Sequence, residues 1–303
     1  MSLADLLTQV ITAEVTQKPK DADMDLFGIT HVGKVRKENQ DHFLMATVHQ
    51  QLVIHGTSFP RPNELPVRGE RLASIFLIAD GVGGAAAGRE ASQLTLETIA
   101  RYVSSTMRCF QTPTRAPEES ELLESLRSAV KEAHMAVRAE AASRGEAKMA
   151  TTLTLAYFAW PYGYIVQIGD SRFYWWANEK LQLVTRDQTL AQDLVDQGVL
   201  PIERLAKSPF RNVLARAIGA DDATPEVTRV EINRRSRFLM CSDGLIKHVS
   251  DAEISEEVKA STSSEQLVQA LLQMVLDRGA SDNVTIVAGR YHEREPRRHE
   301  SGQ

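Results

Sequence analysis

The sequence predicts an α+β fold in which two mostly antiparallel sheets pack face to face with helices outside. Three observations carry that prediction. Strand-like and helix-like stretches are segregated along the chain rather than alternating. Between residues 151 and 185 four short strand candidates follow one another, separated by "PYG" (161–163), "GDS" (169–171) and "ANEK" (177–180), as in an antiparallel meander. The amphipathic runs lie outside that block, and two facing sheets would use every one of them as cover.

In chain order, residues 1–24 read as a helical leader and polar linker ahead of a domain over 25–291, and 292–303 as a polar tail. The strand-like stretches "DLFGITHVG" (25–33) and "DHFLMATV" (41–48) flank the polar "KVRKENQ" and are expected to pair across a functional turn. Residues 49–73 hold three prolines and no sustained period, which predicts a surface insertion. "SIFLIAD" (74–80) is a continuous apolar run, the pattern of a fully buried strand. The glycines after it should turn the chain into a helix from near Gly88, with Ala91, Leu94, Leu96 and Ile99 on its inner stripe. Residues 117–143 form the clearest amphipathic helix, with Pro117 and glutamates suited to its start. After the strand block, 186–220 is mixed and partly helical. Strands return at "VTRVEI" and "RFLMCSD", a helical pair follows over 251–279, and "NVTIVAGRY" is the last strand.

Composition narrows the function. A net charge of −5 argues against a nucleic-acid binder, and the basic "REPRR" lies in the polar tail. No run approaches about 18 apolar residues, so no membrane span is expected. The acidic start lacks a signal peptide's basic region. Cys109 and Cys241, each in an apolar setting, read as reduced thiols of a cytosolic protein.

Five aspartates stand at strand edges beside polar turns: Asp41, Asp80, Asp170, Asp243 and Asp282. One such residue is ordinarily a turn or a helix cap. Five are harder to explain that way. If the strand ends converge, their repulsion calls for cations, and hard ions such as Mg²⁺ or Mn²⁺ prefer oxygen ligands. No His/Cys spacing supports a zinc site. Carboxylates around two ions suit phosphate-ester hydrolysis by an activated water. Arg36, close before Asp41, is the candidate to grip the phosphate bidentately.

The stretches "RKENQD" (36–41), "ADGVGG" (79–84), "ATTLT" (150–154), "IGDSR" (168–172), "CSDGL" (241–245) and "SDNVT" (281–285), in this order, resemble the metal-dependent PP2C-type (PPM) serine/threonine protein phosphatases. The resemblance implies a four-layer α-β-β-α sandwich with a metal site at one end. By position, Asp80 would bridge two Mn²⁺ or Mg²⁺ ions and Gly81 would offer its carbonyl to one of them. Asp243 and Asp282 would complete the other ion's shell, and Asp41 would hold bound water. Asp170 with Asp243 matches a position that takes a weaker third ion, and Arg36 matches the phosphate-binding arginine. The implied catalytic set is Arg36, Asp41, Asp80 and Asp243, with Asn283 ordering the last loop through an Asx-type bond.

Two departures stand out. Gln40 replaces a frequent glutamate. Val82 takes the place of a histidine that eukaryotic members use as candidate acid, as in bacterial-type members, which leaves bound water as proton donor. His42, next to Asp41 on a strand, should face the other way. Ser171 and Ser242 lack a partner histidine and read as turn residues. Cys241 reads as a core residue whose nearness to Asp243 leaves it open to oxidation. Of Tyr174, Trp175 and Trp176, neighbours on one strand, at least one should face outward and hint at a contact surface. Residues 186–220 fall where the family carries its flap.

The expected protein is therefore a cytoplasmic, monomeric, bacterial-type phosphatase of phosphoserine and phosphothreonine in proteins. A serine/threonine kinase would be its opponent, and nucleic acid and membrane are not expected partners. A non-catalytic binding module is the alternative, against which retention of all five aspartates argues. A P-loop or dinucleotide site is disfavoured, because "ADGVGGAAAGRE" lacks the Gly-Lys-Ser/Thr ending and a parallel βαβ setting.

Overall fold

Strands that are apolar on both faces form the middle of the molecule. The computed structural model describes residues 17–51, 54, 68–83, 85–106, 116–145 and 148–292. Cys109 and most of the leader, the proline-rich insertion and the tail lie outside them. The strands are β1 (Met24–His31), β2 (Asp41–Gln51), β3 (Arg68–Val82), β4 (Ala150–Thr151), β5 (Leu153–Ala159), β6 (Tyr162–Ile168), β7 (Arg172–Ala177), β8 (Lys180–Leu183), β9 (Glu226–Glu231), β10 (Arg237–Cys241) and β11 (Val284–Tyr291). The helices are α1 (Ala85–Ser105), α2 (Ala116–Arg144), α3 (Leu190–Asp196), α4 (Asp243–Ile246), α5 (Asp251–Ala260) and α6 (Ser264–Asp277). None of them is long and apolar enough to cross a membrane.

The first sheet runs β1-β11-β10-β7-β8 and the second β2-β3-β5-β6-β9, with β4 on β3; every pairing is antiparallel. Alternation along each strand splits its side chains between two interiors. On β3, Ile75, Leu77 and Ala79 pack under α1 and α2, while Phe76 and Ile78 meet the other sheet. On β10, Leu239 and Cys241 pack under α5 and α6, while Phe238 and Met240 face inward. Three cores separate four layers, as the α-β-β-α expectation required. Covering both faces is why these strands read as unbroken apolar runs.

Strand pairing corrects three expectations. β1 and β2 are not partners: β1 pairs with β11 and β2 with β3, so "KVRKENQ" crosses from one sheet to the other. The four-strand block is not one meander. β5 and β6 form a hairpin in the second sheet and β7 and β8 one in the first, with "GDS" as the crossing. Tyr174, Trp175 and Trp176 offer no contact surface, because all three are buried. Trp175 sits between the sheets and Trp176 under the helices of the first sheet.

Smaller differences follow from packing. β3 extends past 74–80 in both directions, and α1 starts at Ala85, with Gly88 inside its first turns. Linker residues 18–23 are tied to β3, where the buried Arg71 donates to the Pro19 carbonyl and the Asp21 carboxylate, each at 2.9 Å.

Candidate active site: a carboxylate centre at one end of the sandwich

Strand ends and sheet crossings deliver the acids. Asp41 opens β2 and lies directly opposite Asp80 near the end of β3. Asp243 opens α4 just after β10, and Asp282 stands just before β11. Asp170 lies in the β6–β7 crossing and Arg36 in the β1–β2 crossing. The structure thus brings all five predicted aspartates and Arg36 to one end of the two sheets.

Local bonds fix each position. The backbone N–H of Asp80 donates to Thr152 Oγ1 at 3.0 Å, and its carbonyl accepts from Thr151 Oγ1 and the Thr152 N–H at 2.8 and 2.9 Å. The threonines of "ATTLT" therefore clamp the strand that carries Asp80. Asp41 Oδ2 accepts from Ser242 Oγ at 2.7 Å and Thr285 Oγ1 at 2.8 Å. Ser242 is thus more than a turn residue; its hydroxyl also accepts from the Thr285 N–H at 2.9 Å. Asn283 does not make a local Asx bond. Its side chain donates to the Val32 and Glu38 carbonyls and accepts from the Gln40 N–H, each at 2.9 Å, which ties the Arg36 crossing to the last loop.

Two glycines are demanded by close approach. A Cβ on Gly81 would lie 2.2 Å from the Gly88 carbonyl oxygen, so the turn after Asp80 rests directly on α1. A Cβ on Gly244 would lie 1.9 Å from the Asn283 carbonyl oxygen. Both contacts are with backbone, which cannot swing away.

The acids strain against one another. Burial pushes Asp41 up to about 6, against the hydrogen bonds from Ser242 and Thr285. Burial, then the charges of Asp41, Asp243, Asp170 and Asp282, hold Asp80 well above the usual carboxylate range. Burial and the nearby Asp243 push Asp170 up to about 8. Burial also raises Asp243, against the pull of Lys247. Asp282 goes the other way: burial works to raise it, but bonds from Arg36 and Lys247 hold it below the usual range.

Arg36 grips Asp282 through Nε at 2.7 Å and Nη2 at 2.9 Å while half of its side chain stays exposed. Lys247, which no sequence pattern singled out, places its ammonium 2.5 Å from Asp243 and 2.6 Å from Asp282. Among the described residues no three acids close on a single point as the chain stands. The donor set nevertheless fits hard cations. Asp41 Oδ1 and Asp243 Oδ1 are buried with no hydrogen-bond partner, and a cation would supply what those oxygens lack.

The fold and this acid centre match known proteins. The protein phosphatase 2C family model matches residues 66–285, most of the chain.

The chain belongs to the protein phosphatase 2C family.

It is 34% identical over 216 residues to serine/threonine protein phosphatase PstP of Mycobacterium tuberculosis, a match covering 71% of this chain and 40% of the mycobacterial protein. It is 26% identical over 259 residues to serine/threonine phosphatase stp of Listeria innocua, covering 85% and 92% of the two. The solved catalytic domain of PstP, in complex with two manganese ions, superposes with a TM-score of 0.68 at 28% identity, over 89% of this chain and 99% of that one.

In this protein phosphatase 2C chain a cleft of about 610 Å³ opens over the acids, with Arg36, Asp170, Asp243, Lys247 and Asp282 in its wall. Leu205 and Arg211 of the 186–220 segment line its other side. That segment is anchored at its start. Arg172 makes a two-point pair with Asp187 at 2.7 and 2.8 Å, and Gln188 exchanges backbone and side-chain bonds with Gly169. No sequence pattern marked Arg172 and Asp187 as partners. His42 faces away from the acids and meets Ser92 Oγ of α1 at 2.9 Å. Val82, at the end of β3, is exposed. Cys241 is fully buried, and burial pushes its thiol up to about 12, which removes the expected oxidation sensitivity.

Proposed function

We propose that this chain hydrolyses phosphoserine and phosphothreonine in proteins at a binuclear Mn²⁺ or Mg²⁺ centre, reversing a serine/threonine kinase in the cytoplasm as a monomer. The observation that carries the proposal is the pair of buried, unpartnered oxygens, Asp41 Oδ1 and Asp243 Oδ1, inside a five-carboxylate centre. The two manganese ions of the related PstP structure and the names of the relatives support it.

Asp80, Asp243 and Asp282 would hold the ions together with the Gly81 carbonyl, and Asp41 would fix a water. Asp170 would face the cleft beside Asp243. Bound ions supply Lewis acidity, which makes water nucleophilic near neutral pH and neutralises phosphoryl charge. Arg36 would receive the phosphate. Asp282 holds one edge of its guanidinium, and the exposed remainder is free to form charge-assisted bonds to the substrate. Ser242 and Thr285 would hold Asp41 ionised and oriented. Val82 offers no proton, so the leaving oxygen takes its proton from water in the cleft.

The test is hydrolysis of a phosphothreonine peptide. Activity should need added Mn²⁺ or Mg²⁺ and vanish with EDTA. Asp80→Asn and Asp243→Asn should each lower turnover by orders of magnitude while circular dichroism stays unchanged. A purified chain that binds no divalent ion and cleaves nothing in Mn²⁺ sinks the proposal. Arg36→Ala should mainly raise KM, and a large loss at saturating substrate would contradict the phosphate-binding role.

A further inference from the structure

Lys247 sits where the sequence gives an acid centre no obvious reason to keep a lysine. It follows Asp243 by one helical turn, and its N–H closes that turn by donating to the Asp243 carbonyl at 3.1 Å. The spacing puts its side chain over the first residue of α4. The ammonium therefore meets Asp243 Oδ2 at 2.5 Å. It also meets Asp282 Oδ2 at 2.6 Å, from a loop 35 residues further on. Only 27% of the side chain is exposed, so this is not a loose surface lysine.

We propose that Lys247 is a built-in cation of the carboxylate centre, standing in for a third divalent ion so that the centre takes two ions and no more. The inference rests on the binuclear reading given above. Two divalent ions bring four positive charges to five carboxylates, and Lys247 brings the fifth. Of two other nearby cations, one is committed elsewhere and one is shared with the substrate. Arg172 is spent on Asp187 and Asp251, and Arg36 reaches Asp282 with half its side chain turned to solvent, where a substrate phosphate would claim it.

The atoms divide the work. Asp243 Oδ1 is buried and unpartnered, open to one of the two ions, while Oδ2 already carries the ammonium. Among the described residues no ion pair reaches Asp170, so a third ion would have to sit between Asp170 and Asp243. It would need an oxygen at roughly 2.1 Å. Two cations cannot share Asp243 Oδ2 at such distances without strong repulsion. A lysine is fixed by the chain, needs no supply of metal and cannot leave. Here it would do permanently what a weakly held ion does only when ions are plentiful.

Equilibrium dialysis of the full chain against Mn²⁺, with bound metal counted at saturation, tests this without reference to turnover. Wild type and Lys247→Arg should each bind two ions, and Lys247→Gln should bind a third. A count of three in the wild type, or of two in a folded Lys247→Gln, overturns the inference. A wild type that binds none defeats the binuclear reading instead. Amine labelling of wild-type protein decides the matter if Lys247→Gln fails to fold. In Mn²⁺-saturated protein, peptide mass spectrometry should find Lys247 unmodified while exposed Lys180 and Lys259 are labelled. Labelling of Lys247 to their extent would mean that the ions displace it, and would overturn the proposal.

Discussion

Ser242 shows how much one hydroxyl can govern. It donates to Asp41 Oδ2 and accepts from the Thr285 N–H, so it fixes the direction of a carboxylate that would face the proposed ions. Partners of this kind typically tune metal affinity about 10–100-fold. Ser242→Ala should weaken Mn²⁺ binding by about that factor in calorimetry, with the fold intact; unchanged affinity would deny it the role. The same acids give the ion-free chain a particular response to pH. Asp41 and Asp170 keep their protons to about 6 and about 8, above the 3.8 of an ordinary aspartate. Between those values the folded form holds protons that the unfolded chain has lost, so stability falls as pH rises through that window. In EDTA the melting temperature should drop from about pH 5 to about pH 8.5, and Mn²⁺ should shrink that drop. A rise over the same range would contradict the assignment of strain to these carboxyls. At this scale the aspartates were legible because all stand at strand edges and four of the five follow or precede a distinctly apolar run. Lys247 was not, because nothing in "SDGLIKH" shows that Asp282 folds back against it.

Elements matter here mainly through their ends. α4 is four residues long and could not stand alone. It holds because Gly244 lets the last loop press against its first turn, and that loop carries Asp282 into β11. Gly244→Ala would thrust a methyl into the Asn283 backbone. It should lower the melting temperature and weaken Mn²⁺ binding together, whereas loss of stability alone would show that α4 and the Asp282 loop are separable. Strands and helices were legible from period and length. Their partners were not. Both faces of β5, β7 and β10 are covered, so the alternation that would tell an inner face from an outer one is absent from their sequences. The same cause misplaced Trp175 and Trp176, since a strand between a sheet and a helix layer has no outward side.

The whole molecule is held by its middle layer. Phe158 touches Phe76, Phe173, Trp175 and Phe238, with ring centroids 5.3–6.4 Å away, joining strands of both sheets. Phe158→Ala should cost about 3–5 kcal/mol, seen as a lower midpoint in urea for protein with and without Mn²⁺. A cost below about 1 kcal/mol would mean that the sheets are held together elsewhere. Two facing sheets under helices were legible from the segregation of strands and helices, whereas the strand order within each sheet was not, because no local pattern states which sheet a strand joins. One pairing has a further consequence. β1, which starts at residue 24, lies beside β11, which ends at residue 291, and Thr30 and Thr285 share a hydroxyl contact at 2.8 Å across that seam. A ribosome must therefore deliver the chain through residues 284–291 before the first strand finds its neighbour. Until then Asp282 and Thr285 are missing from the acid end, so a nascent or prematurely terminated product has no complete carboxylate centre.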